Sequence, residues 1–211
     1  MKAYLIDRLQ FLAVGVLAVL IGMVVAVTSF AWFPSQAPKK VFTKRELKLP
    51  EIVQVIGIER KNQKVAFGAG IDADDDWLNG TTFKIKNYSG REIVHLELHL
   101  NFPETKALGN EMSFPIYLGR RPGVEGQRAD PVVIAPDEEV SITLGENTYA
   151  QLKRFLEYRQ PISKINQVTV LPYLVVFADG IAWGQGEYYR SDPDSPKRFI
   201  PIGNKPPQNN Q

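Results

Sequence analysis

Residues 11–33 contain no charged side chain, and this run constrains the chain more than any other feature. Leu, Val, Ile, Ala, Phe and Met fill most of it; Gly15, Gly22, Thr28 and Ser29 are among the exceptions. As a helix the run would be roughly 35 Å long at ~1.5 Å per residue. That is enough to cross a hydrocarbon layer of about 30 Å. A helix buried in a soluble core usually keeps a polar face, and this one has none. The run from Phe11 to Phe33 is therefore expected to be a transmembrane helix, behind a short stub at 1–10. A secretory signal carries a shorter apolar core of about 7–15 residues. An uncleaved anchor is the preferred reading, and cleavage near Ser29-Phe30-Ala31 is the alternative. Trp32 and Phe33 would sit at the far interface, where aromatic rings are favoured. Ala18, Gly22 and Ala26 recur every four residues, a small-residue spacing that permits weak self-association of such helices.

Orientation follows less directly. Lys2, Asp7 and Arg8 precede the run, and Lys39, Lys40, Lys44, Arg45 and Lys48 follow it. The positive-inside rule taken alone would hold the large domain in the cytoplasm. Large domains translocate largely regardless of flanking charge, and the N-terminal stub is too short to be more than a cytoplasmic end. The C-terminal domain is expected outside the cytoplasm. Residues 34–50, with Pro34, Pro38 and Pro50 among basic side chains, read as a linker. Its cations could touch anionic lipid, with a solvated spacer carrying stop-transfer charges as the preferred reading.

Composition excludes several classes. The chain has 211 residues and no cysteine, which removes disulfide scaffolds, lipoprotein anchoring, cysteine-bound zinc and thiol catalysis. Lys and Arg total 25 against 23 Asp and Glu, so the strongly basic footprint of a nucleic-acid binder is missing.

From Glu51 the texture becomes short β-type runs between turn signals. Candidates are Ile52–Ile58, Lys64–Phe67, Thr81–Lys86, Glu92–Phe102, Ser113–Leu118, Pro131–Ile134, Glu139–Leu144, Gln167–Phe177 and Ile181–Tyr189. Along 92–102, Val94, Leu96, Leu98, Leu100 and Phe102 alternate with His95, Glu97, His99 and Asn101. This predicts one buried and one wet face. Residues 168–177 show no polar face and predict a central strand covered on both sides, or one buried at its ends by loops. Asp179-Gly180 suits a tight primed turn. One helix is expected, capped by Thr148 with Gln151, carrying a buried stripe of Tyr149, Leu152 and Leu156 and stopped by Pro161. The tail at 203–211 is polar and is expected to be disordered. The fold class is mainly β: an antiparallel immunoglobulin-like β-sandwich over 51–202 with one short helix.

Lys86-Asn87-Tyr88-Ser89-Gly90-Arg91-Glu92-Ile93-Val94-His95-Leu96-Glu97-Leu98 resembles a hairpin pattern, K-N-x-S-G-x-x-I-x-x-L-x-L, of bacterial membrane-anchored immunoglobulin-like envelope domains. Ala135-Pro136-Asp137-Glu138 is similar to their x-P-G-E turn, with Asp137 in place of Gly. Phe177 to Trp183 resembles their final F-x-D-G-x-x-W hairpin, and 189–202 looks like the ending of such anchored proteins. The likeness covers roughly residues 80–180 and implies the fold; it supplies no catalytic residues.

Several constellations invite a chemical reading. His95 and His99 lie about 13 Å apart on a strand at ~3.3 Å per residue, too far to share one zinc at ~2.0–2.1 Å; a solvated sheet face is the default, and a site built with Glu97 and a neighbouring strand is the alternative. Asp72, Asp74, Asp75 and Asp76 begin like a calcium loop. Trp77 stands where that loop needs Gly, and Phe83 where it needs Glu. An EF-hand is excluded, and a looser calcium site stays open against a charged loop with Trp77 folded inward. Gly119-Arg120-Arg121-Pro122-Gly123-Val124-Glu125-Gly126-Gln127-Arg128 is a long basic loop. Arg120, Arg121 and Arg128 are candidate contacts for an acidic partner. Trp183, Tyr188 and Tyr189 are candidates to line a glycan or peptide groove, with Trp183 also suited to the core. Asn87-Tyr88-Ser89 matches a glycosylation sequon and a turn equally well. No nucleophile elbow is present. The reading is a non-enzymatic binding or assembly module at the bacterial envelope. Its expected partners are the membrane and another envelope protein; neither cofactor, metal nor nucleic acid is expected. A cytoplasm-facing adaptor is the alternative. A glycan-processing enzyme, which would require clustered carboxylates in a cleft, is the second.

Overall fold

The computed structural model describes residues 38–45, 51–124, 130–159, 161–205 and 207. The expected membrane helix at 11–33 and Arg128 lie outside the described residues. No helix among the described residues is long and apolar enough to cross a membrane. The chain divides into two units, Met1–Pro38 and Lys39–Gln211, and the elements below belong to the second.

One sheet is built from β2 (Val53–Arg60), β3 (Gln63–Val65), β5 (Thr82–Asn87) and β8 (Glu139–Thr143), in the antiparallel order β3-β2-β5-β8. The other is centred on β9 (Gln167–Phe177). One edge of β9 pairs along most of its length with β6 (Ile93–Phe102), which in turn pairs with β7 (Met112–Gly119). Its other edge is shared. The first half pairs in parallel with β1 (Lys40–Lys44), which also carries the short β4 (Gly70–Ile71). The second half pairs with β10 (Ile181–Gly184), followed by β11 (Glu187–Asp192) and β12 (Ser195–Gly203). Val53, Val55, Phe83 and Ile85 of the first sheet join Leu96, Leu98, Val168 and Phe177 of the second in one apolar core. A mainly β, sandwich-like fold with one short α-helix among the described residues is thus observed.

Asn87 fixes the passage between the sheets. The K-N-x-S-G segment is not a hairpin, because β5 and β6 belong to different sheets. Asn87 is buried, and its Nδ2 lies 2.8, 3.1 and 3.0 Å from the carbonyls of Arg91, Ile134 and Ala135. Its Oδ1 accepts from the backbone N–H and the hydroxyl of Ser89. With its amide so committed, Asn87 is a corner-former, and the glycosylation reading falls. Asp137 has a φ of 62°, the left-handed conformation that explains Gly at this place in the similar turn pattern.

Other expectations are corrected. Residues 40–44, read as part of the linker, form β1. Phe42 is fully buried, with its ring 4.8 Å from that of Trp77 and 6.1 Å from that of Phe83. Lys40 does not reach lipid: its Nζ donates to the carbonyls of Ser163 and Ile165 and to Asn166 Oδ1 at 3.0–3.1 Å. The segment 131–134 contributes only an isolated bridge, Ile93 to Ile134. The run 181–189 is two strands, broken by positive φ at Gln185 (51°) and Gly186 (98°). At 178–180 only Gly180 takes a positive φ, so the turn is not a primed pair. Residues 195–203 are a strand that prolines masked in the sequence. The helix, α1 (Glu146–Glu157), starts after Gly145 without a side-chain cap, which places Thr148 inside it. Its stripe Tyr149, Leu152 and Leu156 is buried as expected.

Replacing Phe42 by Ala should lower the unfolding free energy by about 3–5 kcal/mol in urea titrations, the usual cost of emptying a large aromatic site. A change below about 0.5 kcal/mol would mean that 40–44 is only a spacer.

Candidate binding cleft

The side of β6 that carries His95, Glu97 and His99 is only partly wet, because the end of the chain folds onto it. The ladder between β11 and β12 shifts register at Tyr188/Tyr189 and at Ser191/Asp192. Such irregularities bend a strand pair and raise its twist. Tyr189 and Phe199 then pack with Leu174, Val176 and Ala182 in a second, small apolar cluster separate from the main core. This explains why β9 has no polar face in its second half.

Between this cluster and β6 lies an open cleft of about 640 Å³. Tyr173, Leu174, Tyr189 and Phe199 supply its apolar lining; Glu97, Glu187, Gln185 and Arg121 supply its polar lining. A bulge creates the key position. Glu97 pairs with Leu174 and Leu98 with Pro172, which leaves Tyr173 as the extra residue. Bulges re-aim side chains in this way. Tyr173 is 37% exposed, and its ring stacks on His99 at 4.0 Å with planes 11° apart. His99 is held on both nitrogens: Nε2 lies 2.7 Å from Glu97 Oε1, and Nδ1 lies 2.7 Å from Ser113 Oγ. The Arg121 guanidinium lies 4.6 Å from the Phe199 ring centre. The Tyr189 hydroxyl donates to Glu187 Oε2 at 3.2 Å. Burial first, and then this carboxylate, raise the Tyr189 pKa above its ordinary value.

Of the candidate partner-binding residues, Arg121 and Tyr189 come together here. Trp183 and Tyr188 do not: at 1% and 7% exposure they belong to the main core. Their strands present alternate residues to opposite faces, so Tyr189 is turned out where Tyr188 is turned in. Arg120 is exposed but does not line the cleft. Sequence reasoning missed Tyr173, Glu187 and Phe199, since a bulge and an unrecognised hairpin bring them in. The bulge leaves no sequence mark, whereas Gly186 was a usable turn signal.

The arrangement Ser113–His99–Glu97 has the order of a nucleophile, a base and an orienting carboxylate. Ser113 does not line the cleft, however, and the flat face of His99 carries Tyr173. The hydrogen bonds position the imidazole, and the imidazole positions the tyrosine. Among the described residues no group of three or more His, Asp or Glu could hold a metal ion. In the acidic loop, Asp74 is paired with Arg60 and Lys61 at 2.7 and 3.0 Å, and Tyr149 donates to Asp76. Hydrogen bonding from Lys61 leads the lowering of the Asp74 pKa. Trp77 is buried, as expected, and donates to the Ile165 carbonyl.

His95 is 2% exposed. Its Nδ1–H donates to the Gly119 carbonyl at 3.1 Å, and Nε2 has no hydrogen-bond partner among the described residues. Tyr117 stacks over it with ring centres 6.0 Å apart. Burial is the main cause that lowers the His95 pKa below the ordinary 6.5, opposed by the Gly119 bond and by Glu97.

Compared with family models, curated proteins and solved structures, the chain has no match. Fold and cleft therefore carry the functional argument.

Because the unfolded chain takes up a proton at His95 before the folded one does, stability is full above about pH 6.5 and falls on acidification. His95→Asn should lose less melting temperature between about pH 7.5 and pH 5 than the parent protein. Equal losses in a differential scanning calorimetry series would place the acid sensitivity elsewhere.

Proposed function

We propose that this chain is a non-enzymatic binding or assembly module at the bacterial cell envelope, held by an uncleaved membrane helix at residues 11–33. The observation that carries the binding reading is the cleft: aromatic rings, two carboxylates, an amide and a guanidinium converge on one sheet face. Binding sites typically join an apolar lining to a few placed polar groups, in volumes of ~300–1,000 Å³. Two rim strands of this sheet offer less to a partner. Pro115 in β7 and Pro201 in β12 each remove a backbone donor from a rim strand, which discourages strand addition.

The finer fold reading is an immunoglobulin-like sandwich. Its support is connectivity. β5 and β8 are neighbours in one sheet, their successors β6 and β9 are neighbours in the other, and β10 returns beside β9. That interlocked pattern is the one expected of such domains. The membrane reading is supported by the uncharged run alone. The partner we favour is another envelope protein or envelope component, with weak pairing of the anchor through Ala18, Gly22 and Ala26.

The cytoplasm-facing adaptor is the rival on orientation. Glycan processing is the rival on activity, favoured by one observation: Glu97 and Glu187 both line the cleft. An alkaline phosphatase fused to the C-terminus should be active, while a fluorescent protein at the same place stays dark; the reverse pattern establishes the adaptor. Affinity capture from native membranes should recover a partner with the parent protein and lose it with the Tyr173→Ala/Tyr189→Ala double variant. Unchanged capture would remove the cleft from the binding reading.

A further inference from the structure

We infer that the cleft is a saccharide-binding site, one that accepts a short, uncharged glycan segment. The inference rests on the binding reading above and names its ligand class.

Charge narrows the choice first. Among the described lining residues, Glu97 and Glu187 face one guanidinium, that of Arg121. Two carboxylates against one cation disfavour phosphate, anionic headgroups and acidic polymers. A cation is not called for either: Glu97 already holds His99 and Glu187 accepts from Tyr189, so both carboxylates are partly engaged within the protein. What suits the remaining space is a neutral molecule with both apolar C–H faces and many hydroxyls.

The chemistry of the walls fits a sugar ring. Tyr173 and Tyr189 offer flat, partly exposed surfaces for a pyranose C–H face. Carboxylate, amide and guanidinium groups are planar and bidentate, matched to vicinal hydroxyl pairs. The cleft is open along the sheet face, so a chain can enter and leave it.

Pre-organisation is the third argument. Glu97 and Ser113 fix His99, and His99 fixes the Tyr173 ring by stacking at 4.0 Å. A platform ordered before binding avoids most of the side-chain entropy cost that an exposed tyrosine would otherwise meet. The bulge turns a tyrosine out of a strand whose other residues from 170 to 177 are all buried.

The test uses the full chain in detergent micelles, titrated calorimetrically with three neutral glycans: chitotetraose, cellotetraose and mannotetraose. At least one should bind, and Tyr173→Ala and Tyr189→Ala should each weaken it ten-fold or more. Tyr117→Ala, an exposed tyrosine of the same face outside the cleft lining, should leave binding unchanged. Thermal melts confirm that each variant is folded. His99→Phe keeps a stacking ring under Tyr173 and should bind better than His99→Ala. No binding by any of the three glycans, or binding indifferent to Tyr173 and Tyr189, overturns the proposal. The binding reading survives that result if membrane capture still depends on Tyr173 and Tyr189, and fails with it if capture does not. Shortened products in mass spectra of the incubated glycans would support the saccharide site and overturn the non-enzymatic reading.

Discussion

The second half of β9 is apolar on both faces, and that constraint organises the domain. Val168, Val175 and Phe177 must meet the opposite sheet, while Leu174 and Val176 must be covered on the other side. Each fully buried Val or Leu contributes roughly 1.5–3 kcal/mol relative to exposure, so neither face can be left wet. The chain solves the first demand with the sandwich core. It solves the second by bending β11 and β12 back over the sheet.

The cleft is a by-product of that second solution. A flat three-strand extension would leave the face of β6 open to water. The register shifts that curl β11 and β12 raise a wall bearing Tyr189 and Phe199, and the bulge in β9 turns Tyr173 towards it. From the far side Arg121 leans over Phe199. Its loop leaves β7 at Gly119, where an added Cβ would fall 2.2 Å from the Val94 carbonyl oxygen. Glycine alone lets the backbone pass there. The same crowding buries His95, which explains how a histidine on the nominal polar face of a strand loses its water.

The sharing of β9's second edge explains β1. β10 covers only the last part of β9, and the first part would expose unpaired backbone groups. β1 fills this gap in parallel, with Phe42 driven into the core beside Trp77. The side chain of Lys40 is spent on satisfying three oxygens at the turn before β9. Residues 40–44 of a basic stretch that looks like a tether are thereby part of the fold.

Local signals in the sequence determined a good deal. Alternation marked the core face of β6 from Leu96 to Phe102, although a register shift at Ile93/His95 puts Ile93 in the core and turns Val94 to the second cluster; the absence of a polar face marked β9 as central, and the spacing of Tyr149, Leu152 and Leu156 marked the helix stripe. These succeed because periodicity records which side of an element is buried. The uncharged run at 11–33 likewise rests on sequence alone. Tertiary structure decided the rest. It made a sheet crossover of what looked like a hairpin at Asn87, a strand of a linker at Lys40–Lys44, and core residues of Trp183 and Tyr188. It also brought Glu97, Arg121, Tyr173, Glu187, Tyr189 and Phe199 together from five parts of the chain. The physical reason is common to all of these. Pairing partner, bulge position and strand curvature depend on contacts between residues far apart in sequence, and no local pattern of side chains encodes them.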